Sequence, residues 1–129
     1  MKNSDLALFW RKSAAADLKT ARNLLRSRDY VWCMFMMHLV IEKSLKASWI
    51  LDNNKAFPPK THNLLRLAAE IKTNLKEEQK LLLFDMNDFN LEARYPDFKL
   101  TFKKRCNRAF AQGYFAQAEE LYRWLSTQK

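Results

Sequence analysis

The chain has 129 residues and a formal net charge of +9, with 48% hydrophobic and 29% charged residues. This composition supplies both a core and a charged exterior, and it predicts one domain over residues 1–129. The single glycine, Gly113, excludes the glycine-rich loops that hold phosphates in P-loop and dinucleotide-binding proteins. The excess of basic residues favours a polyanionic partner, whether nucleic acid, a nucleotide or an acidic protein.

Two cysteines, Cys33 and Cys106, are too few and too far apart for a disulfide framework or a metal motif. They predict reduced thiols and a cytoplasmic location. The longest apolar run, residues 31–41, contains His38 and is too short to span a bilayer. We therefore expect no membrane segment, no bound metal and no cofactor.

Apolar residues recur at helical spacing in the first part of the chain. After a candidate N-cap at Ser4, the pattern predicts a first helix over 5–27. Asp29 is a candidate cap for a second helix over 30–51, which the adjacent prolines of "DNNKAFPPK" terminate.

Three further helices follow in the same way. Thr61 is the candidate cap of a short third helix that ends near residue 73, and Glu77 begins a fourth that continues to the "ARYPDF" segment. A fifth helix is predicted from a cap at Thr101 to about residue 125, with close helix packing expected at Gly113. Five helices and short loops predict an all-α, up-and-down antiparallel bundle.

Charged residues interrupt the apolar second helix. His38, Glu42 and Lys46 are each four residues apart and form one stripe, with Lys43 further round the helix. One interpretation is a surface ion pair with a histidine at the core margin. The other is a polar groove between helices, in which a bound anion or a partner residue balances the charges.

Two loop motifs contain further candidates. His62 follows the candidate cap Thr61, where it either fixes the turn or faces an anion at a helix N-terminus. Arg94 and Tyr95 either anchor the "RYPD" turn or bind a ligand, in which case the guanidinium grips phosphate and the ring stacks.

Three ordered landmarks resemble the HEPN domain family. They are "LLRSRDYVWCMFMMHLVIEKSLKASWI" with its EKxLKA motif, the loop segment "FPPKTHNLLRLA", and "LEARYPD" near the fourth helix. The resemblance implies a five-helix bundle, commonly homodimeric, that works as a nucleotide- or RNA-associated module beside a minimal nucleotidyltransferase. The family's polar positions fall on residues of the stripe and of the two loop motifs: Glu42, Lys43, Lys46, Thr61, His62, Arg94, Tyr95 and Asp97.

Many HEPN proteins are endoribonucleases marked by an arginine and a histidine with four to six residues between them. Neither His38 nor His62 has an arginine at the corresponding positions, and no histidine follows Arg94. We therefore expect a non-catalytic module that binds a nucleotide or related anion and partners a nucleotidyltransferase. The alternatives are an RNase with an atypical residue set, such as His62 with Arg94 or Lys46, and a structural adaptor whose polar stripe pairs across a dimer interface.

Overall fold

The first two helices form a long antiparallel hairpin. In the computed structural model, which describes residues 1–128, α1 spans Asn3–Arg26 and α2 spans Tyr30–Asn53. Between them Arg28 takes the left-handed conformation, with φ of 67°, and the chain reverses. At the far end the side chain of Asn3 donates a hydrogen bond of 2.9 Å to Oδ1 of Asn54.

Five further helices complete the bundle. They are α3 (Leu64–Ala69), α4 (Glu77–Met86), α5 (Phe89–Arg94), α6 (Thr101–Arg105) and α7 (Arg108–Thr127). Over residues 1–128 no strand forms. The prediction of an all-α helical bundle is confirmed, although the five expected helices occur as seven segments.

The second helix is the centre of the structure. α1, α3, α5, α6 and α7 all pack against it. Its apolar side chains are accordingly buried around most of its circumference, including Met34, Met37, Ile41 and Leu45, none of which is exposed. A helix apolar on all sides is stable only when other helices cover every side.

The fourth predicted helix is interrupted, which corrects the sequence-based expectation. Asn87 ends α4, and its side chain points to the start of α3. There its Oδ1 accepts a hydrogen bond of 2.8 Å from the Leu64 amide, and its Nδ2 donates to Asn63 at 3.1 Å. At the break the Asn87 amide bonds to the Phe84 carbonyl, three residues back, at 3.3 Å, and α5 begins at Phe89.

The fifth predicted helix is also divided. Cys106 is buried at the end of α6, and Asn107 has extended backbone. The Asn107 side chain accepts a hydrogen bond of 2.9 Å from the Phe110 amide and so caps α7. Thr101 is the first residue of α6 and not its cap.

Two other predicted caps are wrong. α1 begins at Asn3 with Lys2 as the N-cap, ahead of the expected cap Ser4. α3 is capped by Asn63, which accepts a hydrogen bond of 3.2 Å from the Arg66 amide, and the Thr61 hydroxyl instead binds the Asn63 amide. The predicted cap position Asp29 is correct, but its side chain makes no capping bond.

Gly113 does not mark a close helix contact, contrary to the sequence-based expectation. A Cβ atom placed on this residue, in the middle of α7, would meet no atom within 4 Å. The glycine therefore contributes only its conformational freedom in the unfolded chain, which opposes folding.

Replacing Gly113 by alanine is expected to raise the free energy of unfolding by about 0.5–1 kcal/mol, measured by urea denaturation. The matched control is Ala116→Gly at an exposed position of the same helix, which is expected to lower it by a similar amount. A loss of stability on Gly113→Ala would show that the glycine is required for packing.

Candidate functional site

The polar stripe of α2 is buried. His38 is 0% exposed, Glu42 4% and Lys46 8%, because α1, the 54–63 loop and α5 cover this side of the helix. We call these three residues the buried cluster. An ordinary surface ion pair, the first interpretation of the stripe, is inconsistent with this burial.

Both carboxylate oxygens of Glu42 have partners within the chain. Its Oε2 accepts a hydrogen bond of 3.0 Å from Nζ of Lys46, and its Oε1 accepts one of 2.8 Å from Nδ1 of His62. The His62 ring belongs to a loop and is 57% exposed, whereas the Glu42 side chain is 5% exposed. The charge on Glu42 is therefore balanced by groups of the same chain.

His38 is held in one tautomer. Its Nε2 lies 3.0 Å from the carbonyl oxygen of His62, which can only accept, so Nε2 carries the proton. Its Nδ1 is buried and has no hydrogen-bond partner, and it lies 3.7 Å from Oε1 of Glu42. Burial lowers the pKa of His38 from 6.5 to about 4, and the charges of His62 and Arg94 act in the same direction, so the ring is neutral at pH 7.

Lys46 also contacts an aromatic ring of α1. Its Nζ lies 5.3 Å from the centroid of the Trp10 ring, which partly shields the ammonium group from water. Trp10 is half-buried and was not a candidate site residue in the sequence. Its helical spacing indicated a core position, and only the pairing of α1 with α2 places its ring over a charge.

Arg94 and Tyr95 lie at the exposed edge of this region. Arg94 Nε donates a hydrogen bond of 3.1 Å to the Asn90 carbonyl at the end of α5. Its guanidinium carbon is 5.8 Å from the ring centroid of Phe35 and 5.6 Å from that of Tyr95. Among residues 1–128 it makes no ion pair, and the Tyr95 side chain is 68% exposed.

Lys43 lies on another side of α2. Its Nζ forms an ion pair of 2.6 Å with Asp17 and donates a hydrogen bond of 2.7 Å to Ser13, both on α1. The structure therefore links four of the seven sequence-predicted candidates directly, namely His38, Glu42, Lys46 and His62. Arg94 contacts Tyr95 and acts on His38 through its charge, whereas Lys43 belongs to neither group. Its charge is neutralised by Asp17.

Exposed groups around the buried cluster can bind an anion. We call His62, Arg94 and Tyr95 the Arg94 surface. The guanidinium can grip a phosphate with two hydrogen bonds, the Tyr95 ring can stack on a base, and Nε2 of His62 is free because Nδ1 faces Glu42. In the described part of the chain, no three His, Cys, Asp or Glu side chains are grouped as metal ligands.

The comparisons with known proteins agree with this architecture. The structure defines the chain as an all-α helical bundle with a polar cluster on its central helix. The sequence profile described as HEPN domain matches residues 7–128, and the chain therefore belongs to the HEPN family. Membership supports a nucleotide-binding or RNase-type module, and HEPN domains commonly dimerise.

A solved structure shows the same fold. The crystal structure of TT1696 from Thermus thermophilus superposes with a TM-score of 0.78 at 18% sequence identity, covering 93% of this chain and 95% of that one. At this identity the similarity concerns the fold alone. Among curated proteins, none has significant sequence similarity to the chain. None of the helices within residues 1–128 has the length and apolar character needed to cross a membrane.

Removing the Glu42 charge is expected to destabilise the protein. Glu42→Gln leaves the Lys46 ammonium buried without a counter-ion, and the free energy of unfolding is expected to fall by about 3 kcal/mol in urea denaturation. Replacing both partners, Glu42→Gln with Lys46→Met, is expected to recover at least half of this loss.

The matched control for this measurement is Glu77→Gln. Glu77 forms an ion pair of 3.7 Å with Lys80, but its side chain is 88% exposed, so the expected change is below about 0.5 kcal/mol. If Glu42→Gln behaves like the control, the cluster is open to water and its assignment as a buried charge network is wrong.

Proposed function

We propose that this chain is a non-catalytic HEPN module that binds a nucleotide or related anion at the Arg94 surface. The observation that carries the proposal is the exposed Arg94 guanidinium, which lies beside two aromatic rings and has no carboxylate partner among residues 1–128. Such a group offers a phosphate both charge and bidentate geometry, and the Tyr95 ring offers a base a stacking face.

The buried cluster would position this surface. Glu42 holds the ring of His62, and the His62 carbonyl in turn accepts a hydrogen bond from His38, so the loop that carries His62 is fixed to α2 at two points. His38, Glu42 and Lys46 thus act beneath the ligand and not as its direct contacts. Lys43 is assigned no ligand contact, because Asp17 and Ser13 occupy its ammonium group.

The nucleotide proposal predicts a specific loss on mutation. Calorimetric titration with the four ribonucleoside triphosphates is expected to show saturable binding of at least one of them to the wild-type chain. Arg94→Ala is expected to weaken that binding by roughly tenfold or more, because a charge-assisted hydrogen bond to phosphate is lost.

The control is Arg123→Ala, which removes the same charge from an exposed position on α7. It is expected to change the dissociation constant by less than about twofold at roughly 0.15 M salt, because screening suppresses distant charges. No heat with any of the nucleotides, or equal losses in the two variants, would contradict the proposal.

One arrangement favours the RNase alternative. A carboxylate that holds Nδ1 of an exposed histidine, as Glu42 holds His62 at 2.8 Å, is the geometry of an oriented general base. With Arg94 to stabilise a phosphate, His62 could take a proton from an RNA hydroxyl. The test is incubation of RNA with the wild-type protein and two variants. If the wild-type protein and Arg123→Ala cleave RNA and His62→Ala does not, the chain is an RNase.

We further propose that the chain forms a homodimer in the cytoplasm and partners a minimal nucleotidyltransferase. Family membership supports dimerisation. Exposed apolar side chains on the hairpin, including Phe9 at 63% and Trp32 at 47%, offer area for protein contacts, and two free buried thiols suit a reducing compartment. The basic net charge also favours RNA as a ligand of the complex between this chain and its partner.

Light scattering is the measurement for this assembly. The purified chain is expected to have twice its monomer mass, and co-expression with a nucleotidyltransferase encoded beside it is expected to yield one complex that contains both proteins. A monomer over the micromolar range contradicts the homodimer, and two proteins that elute separately contradict the partnership.

A further inference from the structure

A cavity of about 470 Å³ opens where the α1–α2 turn meets α5 and α6. Arg28 of the turn, Trp32 of α2 and Lys103 of α6 contribute to its wall, and we call it the α6 cavity. None of the three residues of the Arg94 surface lines it. Its volume is within the range of about 300–1,000 Å³ that is typical of small-molecule sites.

The charges that line the α6 cavity favour an anion. The wall also contains two carboxylates, Asp29 and Glu92. Glu92 lies 3.7 Å from Arg105, and Asp29 accepts a hydrogen bond of 2.8 Å from the neutral Ser27 hydroxyl, so one positive charge remains in excess. Arg28 and Lys103 make no ion pair within residues 1–128. A ligand with a negative group would therefore meet two cations and a net positive charge.

The first turn of α2 adds to this preference. Residues 30–32 lie in the cavity wall, and their amide groups belong to the helix end whose N–H groups have no intrahelical acceptors. The N-cap residue Asp29 makes no capping bond with its side chain, and the first turn contains no acidic residue. The Asp29 carboxylate offsets part of the positive charge at this helix end, but it accepts its hydrogen bond from the Ser27 hydroxyl and leaves the amides of residues 30–32 without a side-chain acceptor.

The remaining wall is apolar and partly exposed. Trp32 is 47% exposed and Leu100 41%, and Phe102 lies below them in the core. Arg28 and Leu100, which both line the cavity, are left-handed, with φ of 67° and 54°. Such backbone is unfavourable for residues other than glycine, and it persists where the surrounding structure enforces it, often at ligand sites.

We propose that the α6 cavity binds a planar aromatic anion of small size, in addition to the ligand of the Arg94 surface. The ring packs against the exposed face of Trp32, and the carboxylate or phosphate group lies between Arg28 and Lys103. The apolar wall selects the ring, and the two cations select the charge. The two sites have no residue in common, although Ala93 and Pro96 of the cavity wall flank Arg94 and Tyr95 in the chain.

The test is an NMR titration of the chain that follows the indole N–H signals of its four tryptophans, with the Trp32 signal assigned from Trp32→Phe. Two probes distinguish the anionic groups: 2-naphthoate carries a carboxylate and phenyl phosphate a phosphate. Saturable displacement of the Trp32 signal is expected with at least one of them. Inorganic phosphate and the neutral 2-naphthamide are expected to cause at least tenfold weaker responses at equal concentration.

Variants locate the bound anion. Arg28→Asn removes the charge with a residue that tolerates left-handed backbone, and Lys103→Gln removes the second cation. Each is expected to weaken binding by roughly tenfold. The matched control is Lys104→Gln, the next cation of α6, which does not line the cavity and is expected to change binding by less than about twofold.

A further variant, Arg94→Ala, tests whether the two sites are separate. The test is needed because the Trp32 ring centroid lies 5.5 Å from that of Phe35, which Arg94 contacts. Binding at the α6 cavity is expected to survive Arg94→Ala within about twofold. The proposal is overturned if no aromatic anion shifts the Trp32 signal saturably, if Lys104→Gln weakens binding as much as Lys103→Gln, or if Arg94→Ala abolishes the response.

Discussion

The burial of Glu42 on the central helix is the constraint on which the candidate site depends. A carboxylate removed from water must be paired, and here Lys46, one turn further along α2, and the ring of His62 meet its two oxygens. Such a network contributes little net stability, since desolvation offsets most of the attraction. Its effect is geometric, because two hydrogen bonds join the loop before α3 to α2 and orient the exposed edge of the His62 ring.

The burial of this side of α2 also explains why some of its polar groups are inaccessible to solvent while others nearby are exposed. His38 is neutral and buried, and Lys46 forms an ion pair with Glu42 and lies against the Trp10 ring. Arg94, at the end of α5, keeps its charge exposed beside the Phe35 and Tyr95 rings. The accessible charged and aromatic groups therefore lie at the rim of the cluster and not at its centre. The polar groove that the sequence suggested is filled by side chains of the chain itself.

Much of the secondary structure was predictable because it depends on local pattern. Apolar spacing placed α1 and α2 within two residues of their observed ends, and the paired prolines correctly separated α2 from α3. The breaks after α4 and α6 were missed for a physical reason. The Asn87 side chain accepts a hydrogen bond from the backbone of Leu64, 23 residues away, and no local pattern indicates such a bond. The break at Asn107 could have been predicted from the sequence, because asparagine is a preferred N-cap residue and here caps α7.

By itself, the sequence determined the helical class, the central place of α2 and the family, since all three follow from apolar periodicity and ordered motifs within single segments. It also placed His38, Glu42 and Lys46 on one side of a helix, because their spacing of four residues fixes that geometry. Only the tertiary structure decided what these residues contact. Whether Lys43 meets Asp17 or a ligand, whether Trp10 covers Lys46, and whether a cavity forms between the first turn and α6 depend on how separate helices pack. Those distances join residues far apart in the chain, and local propensities do not specify them.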